Sequence, residues 1–248
     1  MGIVTVVTSG KGGVGKSAVS AGLATELAKK DEKVLIIDAD SGLGNLDYIL
    51  SIKENLVYDI SDIILGNCEI TDAIYRSPYI KNLYLIPAAQ SKADGLSTKV
   101  MKKLISVFSS YYDQVIIDSP AGIGTGFESS IASANRAIIV ANTNPVSLMD
   151  SRKVRDILID SGINDIRLVI NRFSNHYFRK SDLYEDLDNV IDESGIQLIA
   201  IVPEDNDILE KFSKGLPLSD KSSAKKAFER LSARFLGERV PLPSLRKL

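Results

Sequence analysis

Gly10-Lys11-Gly12-Gly13-Val14-Gly15-Lys16-Ser17 is the stretch on which the fold turns. It satisfies the pattern G-x-x-x-x-G-K-[ST], and its surroundings fit. The apolar run Ile3-Val4-Thr5-Val6-Val7 precedes it, and a helix-length segment, 16–30, follows it. Glycines let the backbone bend tightly enough for successive N–H groups to converge on phosphate oxygens. The following helix presents its positive end to the same place. In such a loop Lys16 bridges the β- and γ-phosphates of a nucleoside triphosphate, and the Ser17 hydroxyl ligates magnesium. Lys11 adds a second cation on the phosphate side, where charge spreads over the γ-oxygens during phosphoryl transfer.

Outward from the loop, short β-branched runs recur: Val34–Ile37, Leu83–Ile86, Val115–Ile117, Ala137–Val140, Leu168–Ile170 and Leu198–Val202. They are continuously apolar rather than alternating, which marks strands buried on both faces. Helical patterns fill the gaps at 57–65, 97–111, 126–134, 147–160, 181–193 and 223–237. Parallel strands need such crossovers. The pattern predicts a three-layer α/β/α sandwich around a mostly parallel, doubly wound sheet, the P-loop NTPase architecture. No Pro/Gly/Ser linker, internal repeat or low-complexity tract interrupts it. The chain reads as a single P-loop ATPase domain over 1–248, with an extended tail from about 240 to 248.

Composition excludes several function classes. Net charge is −2, so no global field draws the chain to nucleic acid or acidic lipid. One cysteine, Cys68, and one histidine, His176, cannot build a His/Cys zinc site or an internal disulfide, which suits a reduced, cytoplasmic setting. Cys68 reads as a packing residue and His176 as a surface or loop residue. No apolar stretch approaches the ~20 residues of a membrane span. Three carboxylates, Asp38, Asp40 and Asp118, fall at the carboxyl ends of predicted strands, the edge where open α/β sheets bind ligands. Carboxylates gathered there repel one another unless a metal and an attacking water organise them.

Lys-Gly-Gly-Val-Gly-Lys-Ser at 11–17 resembles the deviant Walker A, or ParA/MinD, ATPases. Asp38-Ala39-Asp40 with 42–47 is similar to the switch I of that family, and Asp118-Ser119-Pro120-Ala121-Gly122-Ile123 to its Walker B and switch II. Tyr58-Asp59-Ile60, Pro87-Ala88-Ala89-Gln90 and 236–242 resemble the MinD branch, which places the division site. The resemblance implies Mg2+ and ATP as cofactors, held by Gly10, Lys11, Gly12, Gly13, Val14, Gly15, Lys16, Ser17 and Ala18. It implies a homodimer when ATP is bound, with Lys11 reaching the partner's nucleotide. Asp118 would hold magnesium with Ser17, and Asp38 would support the metal shell. Asp40 would position the attacking water, joining Lys11 and Lys16 as catalytic groups; Asp47 reads as structural. Asn171-Arg172 and Pro203-Glu204-Asp205, each expected just after a strand, take the adenine-holding positions of related ATPases.

The resemblance has departures. Pro241 and Pro243 interrupt the tail where the branch carries a basic amphipathic helix, so a peripheral place on the inner membrane face would need a longer tail. Ala224, Ala227, Phe228, Leu231, Phe235 and Leu236 form a stripe of the core-docking kind. Gly124 and Arg152 replace acids of the family near the dimer and partner face, so a MinC- or MinE-like regulator meets an altered surface. Two alternatives accompany the division-site reading: a flagellar-number regulator of the FlhG type, favoured by the Pro-x-Ser spacing at 145–147, and a DNA-partitioning ParA-like module. The lysines at 99–103 and 221–226 read as solvated helix faces, against a nucleic-acid role.

Overall fold

The computed structural model describes residues 1–41, 44–90, 98–181 and 183–243. Gly42 and Leu43 of the expected switch I and residues 244–248 of the expected tail lie outside them.

Each apolar run forms a strand: β1 (Ile3–Thr8), β2 (Val34–Asp38), β4 (Leu83–Ile86), β5 (Gln114–Asp118), β6 (Arg136–Ala141), β7 (Asp165–Phe173) and β8 (Leu198–Pro203). A two-residue strand, β3 (Tyr75–Arg76), was not expected. It is too short to show a pattern and pairs antiparallel with β4 at the sheet edge. The order is β3-β4-β2-β5-β1-β6-β7-β8, with every pair except β3–β4 parallel. Strand β1 lies at the centre, and the connections leave it toward opposite edges. Its carboxyl end is therefore the switch point where α/β sheets receive ligands.

The helices are α1 (Lys16–Lys29), α2 (Leu46–Ile49), α3 (Ile60–Leu65), α4 (Thr98–Tyr111), α5 (Thr125–Ile131), α6 (Pro145–Asp160), α7 (Asn175–Lys180), α8 (Leu187–Ser194), α9 (Asn206–Phe212) and α10 (Ser223–Phe235). The expected helix at 181–193 is shorter, beginning where Asp186 caps Asp188 and Asn189. His176 is an exposed residue of α7. Cys68, expected to pack, is only partly covered, in the turn after α3.

Alternate strand residues serve opposite faces. Ile116 of β5 joins the core under α1 and α10, while Val115 and Ile117 join the core under α4. Beyond the centre, Ala137, Ile139, Leu168 and Ile170 pack with Leu148, Val154 and Leu158 of α6. The stripe of α10 is buried against α1 and β8 through Ala224, Ala227, Phe228, Leu231 and Phe235, which leaves it no apolar face for a membrane; Leu236 just beyond is exposed. Among the described residues no helix is long and apolar enough to cross a membrane. Residues 238–243 form neither helix nor strand.

Candidate functional site

Register builds the site. Val7 of β1 and Asp38 of β2 both lie opposite Asp118 of β5, so two carboxylates sit on neighbouring strands at the same edge. The loop between β1 and α1 turns over that edge. Gly15 adopts φ 89, a left-handed conformation strained for any side chain, and a Cβ there would lie 2.3 Å from the Asn171 amide nitrogen. Gly10 is constrained differently: a Cβ would lie 2.6 Å from the backbone of Asp150 on α6. The Ser9 hydroxyl donates to the Lys11 carbonyl at 3.0 Å, and Lys11 itself is exposed.

Asp118 is fully buried and is the hub of the site. Its Oδ2 accepts from the Ser17 hydroxyl at 2.6 Å, and its Oδ1 accepts from the Ser20 hydroxyl at 2.8 Å. Lys16 Nζ stands 3.2 Å from Oδ1, in an ion pair exposed by only 7% and 0% on its two sides. A buried pair of this kind costs desolvation on both partners and is retained where the charges have work to do.

Asp38 is held differently. Its Oδ1 accepts from the Asp40 N–H at 3.1 Å and its Oδ2 from the Leu46 N–H at 3.4 Å, so its carboxylate ties down the two ends of the switch segment. Burial first, and then neighbouring Asp118, push its pKa up to about 7; the two N–H donors and Lys16 only partly oppose them. Asp40 is half-buried. Its pKa is raised by burial, against the attraction of Lys16 and with a smaller push from Asp118. Asp47 accepts from the adjacent Tyr48 N–H at 2.8 Å.

Across the loop, Asn171 does not follow its strand as expected. Strand β7 runs on through Asn171 and Arg172 to Phe173, because Phe173 still pairs with Pro203 of β8 past an irregularity in register. Arg172 takes φ 54 there and is exposed. The Asn171 side chain is buried. Its amide nitrogen donates to the Val14 carbonyl at 2.8 Å, and its Oδ1 has no hydrogen-bond partner among the described residues. At the end of β8, buried Pro203 is followed by Glu204, whose N–H donates to the Phe173 carbonyl at 2.9 Å.

Asp205 is committed to the fold. It caps α9 through the Asp207 N–H, while its other oxygen accepts from the Ser222 and Ser223 hydroxyls and the Ala224 N–H. Partial burial works against its ionisation, but these donors, the Ala224 and Asp207 N–H groups foremost, lower its pKa to about 2. Only backbone groups at this position remain for a ligand.

The fold thus brings the loop, Asp38, Asp40, Asp118 and Asn171 to one edge, with half-buried Ala18 in the first turn of α1. Ser20 escapes a reading by motif, because Ala18-Val19-Ser20-Ala21 looks like helix filler. Its spacing of three from Ser17 was the available signal, since i and i+3 share a helix face.

A phosphate-cradling loop after the central strand, with a lysine, a hydroxyl and a buried carboxylate at its end, defines a P-loop nucleotide-binding protein. A family model described as an AAA domain matches residues 2–158. The septum site-determining protein MinD of Thermotoga maritima is 38% identical over 247 residues, covering 98% of this chain and 91% of the relative. The MinC:MinD cell division protein complex of Aquifex aeolicus includes a chain superposing with a TM-score of 0.90 at 32% identity, over 98% of this chain and 99% of that one. MinD complexed with Mg-ADP from Pyrococcus horikoshii superposes at 0.85 and 29% identity, over 95% and 96% of the two chains. The chain belongs to the MinD family of septum site-determining ATPases. The division-site reading therefore stands above the flagellar and DNA-partitioning alternatives.

Proposed function

We propose that this chain, as one ATPase domain, binds Mg-ATP at the 10–18 loop, closes as a homodimer around it, hydrolyses it to ADP and phosphate, and thereby switches a division-site regulator on and off. The observation that carries the reading is the convergence of Lys16, Ser17 and Ser20 on buried Asp118.

The residues fit the groups they would hold. Ser17 Oγ and the Asp118 carboxylate are adjacent hard oxygen donors, the set magnesium takes alongside phosphate oxygens. Among the described residues no group of three or more His, Cys, Asp or Glu side chains is arranged for a metal. The orphaned Asn171 Oδ1 supports this reading as an unpartnered acceptor for an adenine amine, and the turn at Glu204 is proposed to add backbone groups. Bound magnesium neutralises developing charge on the phosphates.

The chain's own groups do the rest. Phosphate oxygens compete with Asp118 for the Lys16 ammonium. Asp40, with its raised pKa, stands ready to orient a water and receive its proton. Exposed Lys11 is available to the triphosphate of a second copy. The relative from Aquifex aeolicus forms a complex with MinC. A MinC-like regulator is accordingly the proposed partner here, on a face that includes exposed Arg152, and the proposed setting is cytoplasmic.

Sedimentation with ATP tests the dimer. Asp40→Ala protein, slowed in hydrolysis, is expected to sediment as a dimer. Adding Lys11→Ala is expected to return it to monomer while one ATP still binds per chain. A double variant that dimerises with undiminished affinity removes Lys11 from the interface.

A further inference from the structure

We propose that Ser20 is a positioning residue for the metal site, holding Asp118 Oδ1 in place once the nucleotide has drawn Lys16 away from it. The inference rests on the Mg-ATP reading given above and adds a residue to it.

Among the described residues Asp118 has three side-chain partners, all from the first turns of α1. Under the proposed function one of them is redirected: Lys16 moves toward phosphate oxygens, while the Ser17 hydroxyl gives a lone pair to the metal and keeps its proton on Oδ2. Oδ1 of a carboxylate with no exposed surface would then have lost its ammonium partner. Leaving a buried charged acceptor short of donors raises its free energy and frees it to rotate.

Ser20 is the remaining side-chain donor on Asp118 Oδ1 among the described residues. It is itself fully buried, and its hydroxyl donates to Oδ1 at 2.8 Å, opposite the oxygen that Ser17 holds. Ser20 lies one turn deeper in α1 than the phosphate contacts, so nucleotide has no route to it. A serine inside a helix commonly bonds back to the carbonyl four residues earlier; this one is directed across to β5 instead. The arrangement is that of an outer partner fixing the rotamer of a metal-binding carboxylate, and loss of such partners typically weakens metal binding about 10- to 100-fold.

The test separates metal from nucleotide. Mn2+ is titrated by electron paramagnetic resonance into the full chain saturated with ADP, and ADP affinity is measured in parallel with EDTA present. Ser20→Ala is expected to raise the half-saturating Mn2+ concentration about 10-fold and to leave the metal-free ADP affinity unchanged. Ser20→Thr, which keeps the hydroxyl, is expected to stay within about twofold of the parent protein. An unshifted Mn2+ titration in Ser20→Ala overturns the inference. So does an equal loss of metal-free ADP affinity, which marks a merely structural role, or a threonine variant as impaired as alanine. If the parent protein itself binds no Mn2+ in an ADP-dependent way, the Mg-ATP reading falls and takes this inference with it. A shift confined to Ser20→Ala supports both.

Discussion

Two aspartates at the same edge of the sheet have opposite fates. Asp205, after β8, is surrounded by donors from two helices and ionises far more readily than an ordinary carboxyl, with a pKa near about 2. Asp38, at the end of β2, is buried beside another carboxylate with two backbone donors, one of them long, and its pKa is raised to about 7. The first region has its electrostatics complete within the chain. The second is left short of positive charge, and proteins keep such shortfalls where a ligand completes them. The difference divides one edge into a corner that stabilises and a corner that, under the proposed function, magnesium and phosphate complete.

The comparison is most severely tested at Asp40. Asp40→Ala is expected to slow phosphate release by on the order of 10² or more while ATP titration shows intact binding. Near-normal turnover would leave the electron-rich corner without a catalytic purpose.

Asp38 offers a sharper thermodynamic test. Its folded pKa lies above its ordinary value, so the folded protein holds the proton longer than the unfolded chain does. Stability is therefore lost as pH rises between about 4 and about 7, and the penalty is constant above that. Asp38→Asn removes the charge and is expected to stabilise the nucleotide-free protein by roughly 2–3 kcal/mol at about pH 8, with no gain near about pH 4. Urea midpoints at the two pH values measure it; a loss at the higher pH breaks the contrast.

Asp205 has the reverse sign. Its lowered pKa contributes stability that is present above the ordinary carboxyl range and vanishes as pH falls through about 2. Asp205→Ala is expected to cost about 2 kcal/mol at neutral pH, roughly one cap at each of two helices. Nucleotide affinity per folded molecule should not change. A selective loss of ATP binding would move Asp205 into the site.

The strands and the phosphate loop were legible in the sequence because each depends on neighbours a few residues apart. Continuous β-branched runs declare burial on two faces, and the glycine spacing declares the turn. Less was legible where the deciding contact is distant. Hydroxyl donors to Asp205 come from Ser222 and Ser223, which no local pattern connects to it. The length of β7 depends on Phe173 finding Pro203, so polar Asn171 and Arg172 read as a turn although they lie in a strand. Cys68 and β3 were misjudged or missed because short edge segments carry too few residues to show a period.

The approach of Gly10 to α6 has a mechanical corollary. With only a hydrogen atom between its Cα and the Asp150 backbone, the first residue of the phosphate loop and the second turn of α6 have no room for a side chain between them. Val146 and Met149 stand exposed on the first and second turns of the helix. A side chain added at position 10 would have to push that stretch of helix, and the surface it carries, away from the mouth of the loop.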